Sequence, residues 1–239
     1  MNADLEFALS LADDADAITL ARFRAADLRV ETKPDLTPVS EADRLVEQTL
    51  RARIERERPG EAVLGEEEGG DASGWILDPI DGTKNFVRGI PIFATLISLQ
   101  DRVAVVSAPA LGRRWWASSG KGAYANGERV TVSRVARLEE AVVTFTSLHG
   151  IDDRYLALAR RSWAPRGYGD FWQHMLVAEG AADVAYEQLA HVWDLAAPKL
   201  IVEEAGGRLS DIAGADRIDG GNALTSNGLL HEAALAAFR

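Results

Sequence analysis

Near the start of the chain, Leu5, Ala8, Leu9, Ala12, Ala15, Ile18, Thr19 and Phe23 recur at three- and four-residue intervals. This pattern predicts an amphipathic helix from Ala3 to about Ala26. A second stripe of Ala42, Leu45, Val46, Leu50 and Ile54 predicts a helix ending before Pro59-Gly60. Ser40-Glu41-Ala42-Asp43 has the form of an N-terminal cap and puts Asp43 in that helix's first turn. Between the two stripes, Glu31 to Pro38 contains two prolines and several turn formers. It reads as an exposed loop or short hairpin that could reach a site.

Beyond Pro59 the period changes. Ala62 to Gly65 and Gly74 to Leu77 predict short strands, with Pro79 stopping the second so that Asp78 and Asp81 lie on a rigid turn at its C-terminal end. From Ile92 to about Val130 the pattern is strand and hairpin, largely antiparallel, with Asn126-Gly127 as a tight turn. After Leu138 it alternates. Strands are predicted near Val142 to Ser147, Asp183 to Tyr186 and Arg208 to Asp211. Helices are predicted near Asp152 to Arg161, Phe171 to Glu179, Trp193 to Glu204 and Leu229 to Phe238. The expectation is an α+β protein of mixed layers in one domain over 1–239, with an N-terminal half to about 137 and a C-terminal half from about 138. No internal repeat or long linker interrupts it.

Composition narrows the chemistry. With no cysteine among the 239 residues, disulfides, zinc-thiolate sites and cysteine nucleophiles are excluded. The 37 acidic against 26 basic residues give a formal net charge of −11, a field that disfavours nucleic acid and anionic membrane. A small anionic substrate meets the same repulsion unless metal ions neutralise its site. The N-terminus lacks a signal-like pattern, no segment approaches membrane-spanning length, and the expected location is cytoplasmic.

The densest chemistry lies in Asp78-Pro79-Ile80-Asp81-Gly82-Thr83-Lys84-Asn85-Phe86. Two carboxylates at a strand end, followed by Gly-Thr, suit a hard cation that shares oxygen ligands with a phosphate. An ordinary Asp-Gly turn between strands explains the same residues. Gly65-Glu66-Glu67 precedes this run, and Trp193-Asp194-Leu195-Ala196-Ala197, with Glu203-Glu204-Ala205-Gly206-Gly207 behind it, comes more than a hundred residues later.

In this order and at these separations the chain resembles the inositol monophosphatase family of Mg2+-dependent phosphomonoesterases, from its first helix to Ser226-Asn227-Gly228. Within the family it is most similar to the histidinol-phosphate phosphatase branch. Thr32-Lys33-Pro34-Asp35-Leu36-Thr37-Pro38-Val39, Val106-Ser107-Ala108-Pro109-Ala110, Arg113-Arg114-Trp115-Trp116 and Tyr168-Gly169-Asp170-Phe171 carry that likeness. The resemblance implies the alternating α-β-α-β-α sandwich shared with fructose-1,6-bisphosphatases, and a homodimer.

It also implies site roles. Glu66, Asp78 and the Ile80 carbonyl would hold one Mg2+; Asp78, Asp81 and Asp194 would hold a second, with a third ion possible beside Glu66. Asp43 and Thr83 would orient and deprotonate the attacking water with Glu66 nearby, and Gly82 and Thr83 would offer N–H groups to the phosphate. Ile80, Asp81, Gly82, Thr83, Tyr168, Gly169, Asp170, Glu187 and Asp194 would line the substrate. Two acids on the alcohol side, Asp170 and Glu187, suit a cationic leaving group such as histidinol. Asp170 is equally explained as a helix N-cap, Asp43 as a capping acid, and Glu67 and Glu68 as a solvated acidic run. His191 reads as a packing residue, and Trp115-Trp116 as core or subunit interface. Pro198 stands where the family has a small flexible residue, and kinks or shifts the start of the helix carrying Asp194. The expected reaction is hydrolysis of L-histidinol phosphate, a step of histidine biosynthesis. The alternatives are inositol 1-phosphate or another small phosphomonoester, and a non-catalytic partner in transcription or RNA processing.

Overall fold

The Asn2 side chain accepts the Asp4 N–H at 2.9 Å and starts α1 (Ala3–Arg22). The helix stops four residues short of the expected end, because Phe23 turns extended and Arg24 takes a positive φ of 60°. In the computed structural model, which describes residues 2–34 and 36–239, the chain continues through β1 (Val30–Thr32) and β2 (Pro38–Ser40) into α2 (Glu41–Glu57). The Glu31 to Pro38 segment is thus a hairpin; its Asp35, and Met1, lie outside the described residues.

Next come β3 (Val63–Gly65), β4 (Gly69–Gly70), β5 (Trp75–Asp81), α3 (Thr83–Val87), β6 (Ala94–Leu99), β7 (Val103–Ala108), β8 (Arg113–Ser118), β9 (Ala123–Ala125) and β10 (Glu128–Val130). The second half contains β11 (Val142–Phe145), α4 (Asp153–Ala159), β12 (Ala164–Arg166), α5 (Asp170–Ala178), β13 (Val184–Glu187), α6 (Val192–Glu204), β14 (Arg208–Ser210), β15 (Ala223–Ser226) and α7 (His231–Leu235).

Among the described residues, β3 to β10 form one eight-stranded sheet and β11 to β15 a five-stranded sheet of order β12-β11-β13-β15-β14. The first is antiparallel except for the parallel β3–β5 pair. Period-two alternation sorts its faces. Val103 and Val105 of β7 pack with Leu11, Leu50 and Ile54 of α1 and α2, while Ala104 and Val106 pack with Phe171 of α5 and Ile201 of α6. The five-stranded sheet covers the far side of α5 and α6, and α4 and α7 close its outer face through Tyr155, Leu224 and Ala234. The layers therefore run α-β-α-β-α, as expected.

Two details bear on the site. Pro79 does not end β5. The strand runs to Asp81 through a bulge in which the pairing with β6 slips by one residue, from Asp78 opposite Leu96 to Asp81 opposite Ala94. In a bulge, the missing proline N–H costs no ladder bond, and the Pro79 carbonyl accepts the Thr95 hydroxyl at 2.8 Å. Likewise α6 continues through Pro198, where the expected disturbance falls on one carbonyl: the absent N–H would have bonded Asp194, four residues back.

Three strands escaped the pattern, β4, β12 and β15. β15 is fully buried, and its Ala-Leu-Thr-Ser sequence gives no alternation to read. Trp115 is core, its indole N–H bonded to Glu179, while Trp116 is half-buried and stacked on Tyr124.

Beneath the bulge, Phe93 is fully buried between Phe86 and Phe23, with ring centroids 4.9 and 5.0 Å away, in one cluster with Ile80 and Ala42. Phe93→Ala should cost about 3–5 kcal/mol of unfolding free energy. Urea denaturation checks this, and a loss under about 1 kcal/mol would show that the cluster collapses around the cavity.

Candidate active site

Both ends of the molecule's long sequence separations meet at the C-terminal end of β5. One carboxylate oxygen each from Asp78, Asp81 and Asp194 lies within 4.8 Å of the others. Asp78 is 1 % exposed, and its Oδ1 has no hydrogen-bond partner. Burial and the neighbouring acids push Asp78 and Asp81 well above the ordinary carboxylate range, and Asp194 is pushed up to about 7. Such a set is costly as three free anions and fits a divalent cation, which takes carboxylate oxygens and repays their desolvation.

Helix ends aim two of the acids. Asp43 is the third residue of α2, fully buried; its Oδ2 accepts the Ser40 N–H at 2.8 Å and the Ser40 hydroxyl. Asp194 is the third residue of α6, and its Oδ2 accepts the His191 N–H at 2.7 Å. In each case the residue before the helix fixes the carboxylate, and the positive end of the helix favours its charge. Asp43 is therefore both a capping acid and a neighbour of Thr83, whose Oγ1 lies 3.2 Å from Asp43 Oδ1 and 2.9 Å from the Ile80 carbonyl oxygen. With one hydrogen for two acceptors, the hydroxyl keeps a lone pair for a further donor. Burial raises the Asp43 carboxyl against the Ser40 donors.

Gly82 turns the chain from β5 into α3 at a φ of 82°, and a Cβ there would fall 2.9 Å from the Ile92 carbonyl oxygen. Only glycine combines that angle with that approach. Gly82 and Thr83 line a cavity of about 430 Å³ with Lys33, Glu66, Asp78, Ile80, Asp81 and Asp194. At the helix start their N–H groups have no intrahelical acceptor and are available to an anion.

A second hollow of about 360 Å³ adjoins the first and shares Asp81, Lys84, Asp170, Leu189 and Asp194 with it. Glu187, His174, His149 and Gln188 lie on its wall. Glu187 is 7 % exposed and accepts the Gln173 amide at 2.7 Å. Asp170 does not cap α5, whose N-cap is Gly169; it opens the helix at a φ of 50° and is pushed up to about 7 by burial and by Glu187, against Lys84. The Asp81 Oδ2 accepts the Phe171 N–H, tying the start of α5 to β5. Tyr168 and Gly169 line neither hollow: Tyr168 is exposed against Trp172, and Gly169 packs on Thr146.

Some participants were not anticipated. Lys33, on the turn between β1 and β2, bonds Glu66 at 2.8 Å and Glu67 at 2.6 Å. Burial alone would lower its ammonium, but the two acids win and hold it above the ordinary lysine range. Glu67 is thus no solvated acid, with a side chain only 8 % exposed, whereas Glu68 is open to solvent. His191 is exposed and stacked on Trp193, with its backbone rather than its ring serving Asp194. Lys84 and His174 line the hollows; a lone lysine and a lone histidine gave no spacing to find them by.

The sequence profile of the inositol monophosphatase family matches residues 2–239. The chain belongs to the inositol monophosphatase family. This is a family of metal-dependent phosphatases, and the chain is accordingly a phosphate-ester hydrolase. Among inositol monophosphatase relatives, the histidinol-phosphatase of Mycobacterium tuberculosis is 51 % identical over 97 % of this chain and 96 % of its own. The histidinol-phosphatase of Streptomyces coelicolor is 47 % identical over 96 % and 94 %. The crystal structure of the extragenic suppressor protein SuhB from Bartonella henselae superposes with a TM-score of 0.91 at 28 % identity, covering 100 % of this chain and 99 % of that one.

Asp170 and Asp194 stand near 7 against about 4 for free aspartate, so the folded state binds more protons across that interval. Their stabilising contribution is complete below about pH 4 and is lost as pH rises through about 7. In chelator, the melting temperature should fall by several degrees from about pH 5.5 to about pH 8, and millimolar Mg2+ at pH 8 should restore it. A flat profile without metal would contradict the repulsion inferred for this cluster.

Proposed function

We propose that the chain is a Mg2+-dependent phosphomonoesterase that hydrolyses L-histidinol phosphate to L-histidinol and phosphate. The observation that carries the substrate is the pair of acids in the second hollow, Asp170 and Glu187, against the single lysine Lys84. With the central carboxylates engaged by metal, those two charges face the leaving group, and a leaving alcohol with an ammonium and an imidazole matches them. The 51 % identity to a protein named histidinol-phosphatase supports the same choice.

Glu66, Asp78, the Ile80 carbonyl, Asp81 and Asp194 would hold two or three Mg2+ ions. Bound there, Mg2+ neutralises the carboxylates, lowers the pKa of water and stabilises the oxygens of an in-line displacement. Gly82 and Thr83 receive the phosphate oxygens on their N–H groups. Thr83 Oγ1 orients the attacking water, and its proton passes toward Asp43 Oδ1, a carboxylate kept in place by Ser40. The P–O bond to the alcohol breaks as the bond to water oxygen forms. Both halves of the chain are needed, since Asp43 to Thr83 come from the first and Asp170, Glu187 and Asp194 from the second. We read 1–239 as one phosphatase domain on that ground. The family likeness also supports a homodimer working in the cytoplasm, testable by sedimentation and cell fractionation.

A phosphate-release panel decides the substrate. Histidinol phosphate should exceed inositol 1-phosphate in kcat/KM by about tenfold or more, and the opposite order would transfer the assignment to inositol phosphates. Asp170→Asn should reduce that preference by about tenfold. It should not lower the melting temperature, since asparagine tolerates the left-handed backbone and the repulsion from Asp81 and Glu187 is relieved. A preference unchanged in Asp170→Asn would remove Asp170 from substrate recognition.

A further inference from the structure

Glu47 is a carboxylate with no solvent exposure that lies outside both hollows. Burying such a charge is expensive unless it is paired and hydrogen-bonded, so its partners show what it is for. Its Oε2 accepts the Glu67 N–H at 2.7 Å, and its Oε1 accepts the Glu68 N–H at 3.0 Å and the Arg51 Nε at 2.8 Å. Arg51 reaches the carbonyls of Val63, at 3.3 Å, and Gly69. The pair therefore grips the β3–β4 hairpin before, within and after the turn that carries Glu66. Gly65 makes room for it, since a Cβ there would fall 2.1 Å from Glu47 Oε1. On the strand side, the Glu66 N–H is bonded to the Leu77 carbonyl at 3.3 Å.

Glu47 also follows Asp43 by one turn on the same face of α2. One helix face thus holds the acid beside Thr83 and, four residues on, the anchor of the turn bearing Glu66.

We propose that Glu47, with the partly exposed Arg51 as its counter-ion, is a positioning residue for Glu66 and sets the divalent-cation affinity of the site without touching the cation. This rests on the reading of Glu66 as a metal ligand. Groups behind metal ligands affect affinity by orienting them, and their loss typically costs about 10–100-fold.

The test uses the full-length chain. In Glu47→Gln an amide nitrogen must face a donor, either the Glu67 N–H or the Glu68 N–H and Arg51, and the turn loses its anchor. The dissociation constant for Mg2+, measured by calorimetry, should rise about tenfold or more, with a matching loss of the Mg2+-induced shift in melting temperature. The kcat at saturating Mg2+ should largely recover. Arg51→Lys, which keeps Glu47 and a cation but loses the two carbonyl bonds, should move the Mg2+ constant in the same direction and replaces Glu47→Gln if that variant does not fold. Glu66→Gln is the parallel control. If it weakens Mg2+ binding while a folded Glu47→Gln or Arg51→Lys protein binds as the parent does, the positioning role is overturned and the ligand reading stands. If Glu66→Gln leaves Mg2+ binding unchanged, the ligand reading fails and this proposal falls with it.

Discussion

Like charge packed out of water is the constraint around which this molecule is built. With carboxylate oxygens of Asp78, Asp81 and Asp194 within 4.8 Å of each other, each ionised pair repels by at least about 3 kcal/mol at the effective dielectric of a protein site. That is a substantial share of the stability of an ordinary domain. Ligand exchange, proton uptake and the folding of both chain halves are therefore linked at one place, because anything that removes this repulsion stabilises the same convergence. The structure meets the cost with rigid supports: two helix starts, a strand bulge and the packed cluster of Phe23, Phe86 and Phe93 beneath Ile80.

The supports also divide the labour between the layers. α2, the eight-stranded sheet with its β3–β4 turn, and α3 hold Asp43, Glu66, Asp78, Asp81 and Thr83; α5, β13 and α6 hold Asp170, Glu187 and Asp194. The first group is fixed by buried backbone and short bonds, Asp43 to Ser40 and Thr83 to the Ile80 carbonyl. The hollow lined by Asp170 and Glu187 is the smaller of the two, about 360 Å³ against about 430 Å³, and exposed Leu189 stands on the wall they share. Chemistry held by the first layer set and selectivity by the second would let one scaffold serve different alcohols.

Much of the architecture was readable from periodicity. Both N-terminal helices, the antiparallel run from Ile92 and the Asn126-Gly127 turn lie where the pattern puts them, because their burial is one-sided and leaves a clear period. β15 left none, being buried on both faces with two hydroxyl residues. The extent of β5 was misjudged because proline was read as a terminator, when a bulge removes the donor requirement. That Glu66 lies near residues far along the chain was accessible only through the family likeness, since spacing carries no information across a hundred residues. Lys33, Glu47 and His174 were invisible for a plainer reason: single polar residues on amphipathic or loop segments read as solvated until packing shows what lies beneath them. Asp170 reversed its simplest reading, since its backbone lies in the left-handed region and its side chain caps nothing.

The bulge in β5 has a consequence in parity. Along a regular strand, residues three apart point to opposite sides of the sheet, so Asp78 and Asp81 could not meet. The extra residue between Asp78 and Asp81 changes odd to even and returns Asp81 to the side of Asp78. Asp-Pro-Ile-Asp is therefore a counting device as much as a pair of carboxylates. Another apolar residue at Ile80 would keep the geometry, but removing one residue of the four would turn an acid into the opposite layer, whatever its chemistry.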